Sequence, residues 1–312
     1  MEEMMRHLVL SALLFSAAAC AHAGDAPGVH NIAQSFADFY DANKDKPEAE
    51  QLAAFRKDVA SGYPAFYGVE RYKGEHILKT IKAFAGIRED YIRKTQQFDA
   101  ELPRYIDSFK AWFPDFQPTR ETWVLHSLGE MDGGTRTLDG KDVLIFGIDG
   151  MVRYHGKGNE SAFFHHELFH TYHDKAMAGC NGDEEPMWAM LWQEGLATYV
   201  SHVMNPEAND SELLLAFPDN MAERTRKVLP AAFADLEKVL DTRDTSVYRN
   251  LFTTGGKATG ELPARRGYYL GYLVAQEAAR ERSVQALAKL DCQGAHALVT
   301  ATVARLRAVY PQ

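Results

Sequence analysis

The chain has 312 residues, 46% of them hydrophobic and 25% charged, with a formal net charge of -9. That composition supplies a sizeable core for one large domain or two small ones and excludes an intrinsically disordered chain. The acidic balance and the lack of a dense Lys/Arg stripe argue against a nucleic-acid partner.

The first residues read as a leader. Arg6 and His7 precede the apolar run Leu8 to Phe15, small residues follow, and Ala21-His22-Ala23 offers an Ala-x-Ala cleavage site. Residues 1–23 are therefore expected to be a signal peptide, and the protein to be exported, periplasmic or secreted. A second reading takes Ala17-Ala18-Ala19-Cys20 as a lipobox with Cys20 as a lipid anchor, although the usual Leu at its first position is absent. No other segment reaches about 18 uninterrupted apolar residues, so the mature chain should carry no integral membrane segment. Cys180 and Cys292 are then an even pair, suited to one disulfide in an oxidising compartment. A reduced pair is the alternative, since sequence does not give the distance between them.

Residues 24–115 read as an N-terminal helical region. Ile32, Phe36, Phe39 and Tyr40 share one helical face, as do Ile77, Ile81, Phe84 and Ile87. Pro64, Pro103 and Pro114 are expected to interrupt or bound these helices. A change of character follows. Thr122 to His126 predicts a strand, Met131 to Gly134 a Gly-rich turn, and Asp142 to Ile148 a second, buried strand. Gly150, Gly156 and Gly158 then mark a loop. From Glu160 the pattern is helical again, with helices expected near 160–177, 187–204, 231–240, 266–281 and 294–308. The fold class is α+β, mostly α.

The stretch Phe163 to His173 contains His-Glu-x-x-His at His166, Glu167 and His170. On a helix, residues i and i+4 stand on one face, so two imidazoles can grip one metal ion. Zn²⁺ suits such donors because it accepts imidazole and carboxylate and tolerates an open fourth position. Glu167 is placed to take a proton from activated water and pass it to a leaving amine. Chance alone puts this motif in about 3% of shuffled chains, so the context must carry the reading. The next predicted helix, Met187 to Val200, has the single acidic residue Glu194 among Trp, Leu and Ala. A carboxylate there is costly unless paired or metal-bound, which makes Glu194 the candidate third ligand. His173 is the competing ligand, and His165 points away from the His166/His170 face. For the developing oxyanion the candidates are Tyr268, then Tyr272 and Arg266, in the segment Arg265 to Tyr272.

His-Glu-x-x-His followed at this distance by Glu194-Gly195-Leu196-Ala197 resembles the gluzincin class of zinc peptidases. The flanking text, with Glu194 to Tyr199 and Gly267 to Tyr272, is more similar to a family of bacterial zinc-dependent peptidases of unassigned substrate. The likeness covers roughly residues 140–280. It implies a zincin-like metallopeptidase domain over 116–312, with a small β-sheet beside an active-site helix. It also implies one Zn²⁺ per chain on His166, His170 and Glu194, Glu167 as general base, and a peptide or protein substrate. By the same resemblance the strand at 143–148 would be the edge strand beside the cleft, with an ordinary core strand as the alternative. One departure stands out: thermolysin-like enzymes carry an Asp four residues after the ligand Glu, where this chain has Thr198. Support for a ligand His must then come from elsewhere, with Asp174 as candidate. The rival readings are a degenerate zincin that binds a peptide or protein without turnover, and a metal-dependent hydrolase of another bond.

Overall fold

The computed structural model describes residues 28–68, 72–156, 158–180 and 185–310. The expected signal peptide and Cys20 lie outside the described residues. In chain order, the first part consists of β1 (Val29–Asn31), α1 (Ala33–Asn43), α2 (Glu48–Asp58), α3 (Pro64–Tyr67), α4 (Gly74–Phe84) and α5 (Arg88–Trp112). Three strands and a short helix follow: β2 (Thr122–Leu125), β3 (Gly133–Leu138), β4 (Lys141–Gly147) and α6 (Ile148–His155). The remainder is helical: α7 (Ser161–Met177), α8 (Met187–Met204), α9 (Met221–Arg226), α10 (Leu229–Val239), α11 (Thr245–Phe252), α12 (Gly267–Ala278), α13 (Val284–Leu287) and α14 (Cys292–Val309). The protein is thus α+β and mostly helical, with one small mixed sheet. Among the described residues no helix is long and apolar enough to cross a membrane.

The sheet has the order β1-β2-β4-β3. β1 pairs with β2 in parallel, Val29 opposite Thr122, and β2 pairs with β4 in parallel, Thr122 opposite Leu144. β3 closes the sheet as an antiparallel hairpin with β4, Gly133 opposite Phe146 and Leu138 opposite Lys141. Its turn, Asp139-Gly140, has positive φ at both residues, 49° and 76°, the backbone that a two-residue hairpin loop demands. The ladder takes β1 from the N-terminal region and its other strands from beyond residue 116.

Several sequence expectations change here. The stretch from Gly133 is a strand rather than only a turn. β4 is an inner strand, and the edge position expected for 143–148 belongs to β3. The segment after β4 is the helix α6, whose Met151 and Val152 are buried. Pro103 lies inside α5 instead of bounding it.

Two apolar cores flank α7. One gathers Phe36, Phe84 and Phe98 of the N-terminal helices, Ile145 and Phe146 of β4, and Phe163 and Phe164 of α7. The other gathers Leu168 and Phe169 of α7 with Leu191 and Trp192 of α8, Leu270 and Val274 of α12, and Val299 and Val303 of α14. One helix therefore feeds both cores, through Phe163 and Phe164 near its start and Leu168 and Phe169 a turn further on, and it cannot rotate without withdrawing side chains from them. Its start is tied to α5 by the buried ion pair of Lys94 with Glu160. Beyond its end, Cys180 and Cys292 form a disulfide, with Cα atoms 5.2 Å apart, which anchors that end to the start of α14.

α8 is set just as firmly. Its first free N–H groups, on Met187 and Trp188, donate to Thr242 O at 2.9 Å and Leu240 O at 2.8 Å, beyond the end of α10. Against α12 it makes backbone contact: a Cβ on Gly195 would overlap Gly271, and one on Gly271 would overlap Leu191 O and Gly195. No side chain fits between the two helices at this point. Gly195→Ala is expected to lower stability by about 1–3 kcal/mol through forced separation of α8 and α12, despite alanine's better helix propensity. Denaturant unfolding of the two proteins measures it; an alanine variant at least as stable as wild type would contradict the close approach.

Candidate metal centre

His166 and His170 project from one face of α7, a turn apart. Glu194 comes from the middle of α8, which the Gly195 contact holds in place. His166 Nε2 and His170 Nε2 are 2.9 Å apart. Glu194 Oε2 lies 3.3 Å from the first and 3.4 Å from the second. Ligands about 2.0–2.1 Å from a tetrahedral Zn²⁺ stand roughly 3.3 Å from one another. The triangle therefore has the size such an ion requires, and the donor set is one that zinc accepts. Among the described residues it is the one group of three such side chains able to hold a metal. All three residues line one cavity of about 360 Å³, and their side chains are only 16–18% exposed.

The electrostatics describe a site short of positive charge. Burial pushes the Glu194 carboxyl up, but His170 and His166 outweigh it and hold the group well below the usual carboxylate range. Burial disfavours a charged His170, yet Glu194, followed by Glu167 and Asp174, raises it to about 9. His166 moves down, through burial and then through the charge on His170. A cation at the centre of the triangle would take over the role that the His170 proton fills.

Glu167 is buried between the ligands and β3. Burial pushes its carboxyl up to about 8, with Asp132 and Glu194 adding to the rise against the pull of His170. A Cβ on Gly133 would stand 3.0 Å from Glu167 Cγ and Cδ and 2.7 Å from Phe163 Cζ. Only glycine lets the strand backbone lie this close to the carboxylate, so Gly133 fixes the distance between the edge strand and Glu167.

Of the oxyanion candidates, the fold brings Tyr268 to the cavity and takes the other two away. Tyr268 lines the cavity, its hydroxyl pushed well above its usual value by burial and by Glu194. Tyr272 instead hydrogen-bonds His202 Nδ1 at 2.8 Å, and Arg266 forms an ion pair with Asp235. Neither competing histidine joins the metal group. His173 is sealed in the core, neither ring nitrogen having a partner, and burial with the His170 charge takes its pKa to about 3. His165 Nδ1 accepts from Asn205 Nδ2 at 2.9 Å, and its Nε2 meets Ser108 Oγ at 2.6 Å. Asp174 lines the cavity but is engaged by Arg120 at 2.5 Å, and Thr198 donates to Glu194 O at 2.8 Å within its own helix.

Sequence reasoning missed several cavity residues. Asp132 accepts from His155 Nε2 at 3.0 Å and from the Gly133 N–H at 3.0 Å. Arg136 of β3, Tyr248 of α11 and Arg265, just before α12, also face the cavity. Asp139-Gly140, a hairpin-turn pair between two strands, is the signal that could have pointed to the hairpin that carries Arg136, with Asp132 just before it. No local signal marked Tyr248 or separated Arg265 from Arg266, because only packing decides which of two adjacent arginines turns inward. No protein-family model, curated protein or solved structure matches this chain.

His166→Ala and Glu194→Ala are each expected to weaken divalent-metal binding at least about a hundredfold, while His173→Ala leaves it unchanged. Competition against a chromophoric chelator reads this directly. Metal retained by the Glu194 variant would exclude the three-donor site.

Proposed function

We propose that this chain is a gluzincin-like zinc metallopeptidase, with one Zn²⁺ on His166, His170 and Glu194. The observation that carries the reading is the donor triangle with the Glu167 carboxylate beside it, in a cavity walled by a free strand edge. When bound, zinc polarises a carbonyl and makes water nucleophilic near neutral pH. Glu167, with its raised proton affinity, suits a group that takes a proton from the attacking water and gives it to the departing amine. Tyr268 offers an O–H toward the negative charge that develops on the carbonyl oxygen. Its high proton affinity keeps it a donor at neutral pH.

The edge strand favours a peptide as substrate. β3 pairs only with β4 among the described strands, and Gly133 to Arg136 line the cavity. An extended peptide can add to that edge through main-chain hydrogen bonds, which would present its carbonyls to the centre. Export fits the same picture: the Cys180–Cys292 disulfide suits an oxidising compartment.

Glu167→Gln keeps the size of the side chain and removes its base. The variant is expected to retain one zinc and to lose about 10²–10⁴-fold in peptide cleavage. Metal analysis and a peptide-pool digest on the same preparation test this. Wild-type activity without loss in the variant would remove Glu167 from the chemistry; peptide binding without turnover by zinc-loaded wild type would make the chain a binding module.

A further inference from the structure

Arg265 is a buried cation at the cavity that no carboxylate among the described residues pairs with. It is only 7% exposed. Nη1 donates to Leu214 O at 2.6 Å and Phe217 O at 3.1 Å, and the guanidinium carbon stands 3.9 Å above the Tyr268 ring. No carboxylate among the described residues pairs with it, whereas its neighbour Arg266 has Asp235. Among the described residues both of its hydrogen bonds use Nη1, and the residue lines the cavity. A buried, unpaired charge is costly. The backbone adds a cost of its own, because Arg265 has φ 63°, a left-handed conformation that side chains with a Cβ rarely adopt. Strain and an unanswered charge at one residue, both directed into a cavity, call for an anion from outside.

We propose that Arg265 forms a carboxylate-binding subsite that receives the free C-terminus of a peptide, making the enzyme a carboxypeptidase. This rests on the peptidase reading above. The planar fork of a guanidinium matches a carboxylate with two parallel hydrogen bonds. Tyr268 holds the plane from one face, and the bonded carbonyls of Leu214 and Phe217 hold one edge. Those same contacts tie Arg265 to Leu214 and Phe217, Phe217 packs on Tyr154 at 5.2 Å, and all four residues line the cavity. A guanidinium without a carboxylate partner in the cavity wall suits a chain terminus, which brings its own carboxylate, better than the neutral backbone in the middle of a polypeptide. In the reaction the scissile C–N bond breaks, the water oxygen bonds to the carbonyl carbon, and a water proton leaves with the amine of the released C-terminal fragment.

The test uses fluorophore-labelled randomised hexapeptides lacking Asp and Glu, made as a free C-terminal acid or as the amide, with a third amidated pool carrying one Glu. Binding is read by anisotropy on the zinc-loaded Glu167→Gln protein, alone and combined with Arg265→Gln or Arg265→Lys. Digests by the enzyme with Glu167 intact are read by product mass. The acid pool is expected to bind at least about tenfold more tightly than the amide. That ratio should fall toward one with Arg265→Gln and be partly kept with Arg265→Lys, and the products should be shortened from the C-terminus. The ratio is insensitive to general damage, which weakens both pools alike. Equal binding of acid and amide, or an equal loss on both pools with Arg265→Gln, overturns the subsite and leaves Arg265 a clamp for 205–220. An acid preference that survives Arg265→Gln but vanishes on zinc removal assigns the carboxylate to the metal and also overturns it. Arg265-dependent preference for the Glu pool over the acid pool overturns the C-terminal assignment in favour of an acidic side chain. Arg265-dependent acid binding with no cleavage of any pool upholds the subsite while the peptidase reading fails; internal cleavage of acid and amide alike keeps the peptidase and overturns the subsite.

Discussion

The site depends on one mechanical constraint: α7 is held by two apolar cores at once. Phe163 and Phe164 commit its first turn to the sheet and the N-terminal helices, while Leu168 and Phe169 commit the next to α8, α12 and α14. A helix held by a single core can rock about its axis at little cost. Here rotation would withdraw large buried side chains from a close-packed interior, where even small voids are felt. His166, His170 and Glu167 inherit that rigidity. Glu194 inherits its own from the Gly195–Gly271 contact, where two backbones touch with no side chain to absorb displacement.

Rigidity matters because the groups it holds are electrostatically incompatible with a dry interior. Glu167, Glu194 and Asp132 converge on a region that burial makes poor in solvation, where burial raises the Glu167 carboxyl and Glu194 raises His170. Arg265 stands nearby with no carboxylate of its own. The cavity is thus incomplete in two senses, short of positive charge at the donor triangle and of negative charge at Arg265. A cation and a substrate anion would answer the two separately, and the distance between them would then measure the substrate from its scissile bond to its end. The edge strand β3 would give such a substrate a backbone to lie along, with Gly133 bringing the strand up to Glu167.

Much of this was legible in the sequence, for reasons that differ by element. α7 and α8 could be placed because their apolar residues recur at helical spacing and their ends coincide with Gly, Asn and Pro. The donor triangle was legible because i, i+4 spacing is a local geometric fact and because a lone Glu in an apolar helix is too costly to bury without a partner. β1 escaped notice, being three residues long with two of them exposed, so no alternation could develop. The start of β3 was read as a turn because its glycines are turn residues elsewhere; here Gly133 serves the close approach to Glu167. The edge role of 143–148 came only from the family resemblance, whereas the apolar run itself reads as a buried strand, and an inner strand covered on both faces is what it forms.

By itself the sequence determined the helical character, the spacing of the two histidines, the carboxylate beside them and the acidic residue that completes the set, since each follows from periodicity or from the cost of burying a charge. Only the tertiary structure decided which strand forms the open edge, that Tyr268 and not Tyr272 or Arg266 faces the cavity, that Cys180 meets Cys292, and that Arg265 is left unpaired. Those are matters of which surfaces meet across long stretches of chain. Neighbours in sequence such as Arg265 and Arg266 share composition and local propensity, and they part company only when Asp235 is found beside one and the cavity beside the other.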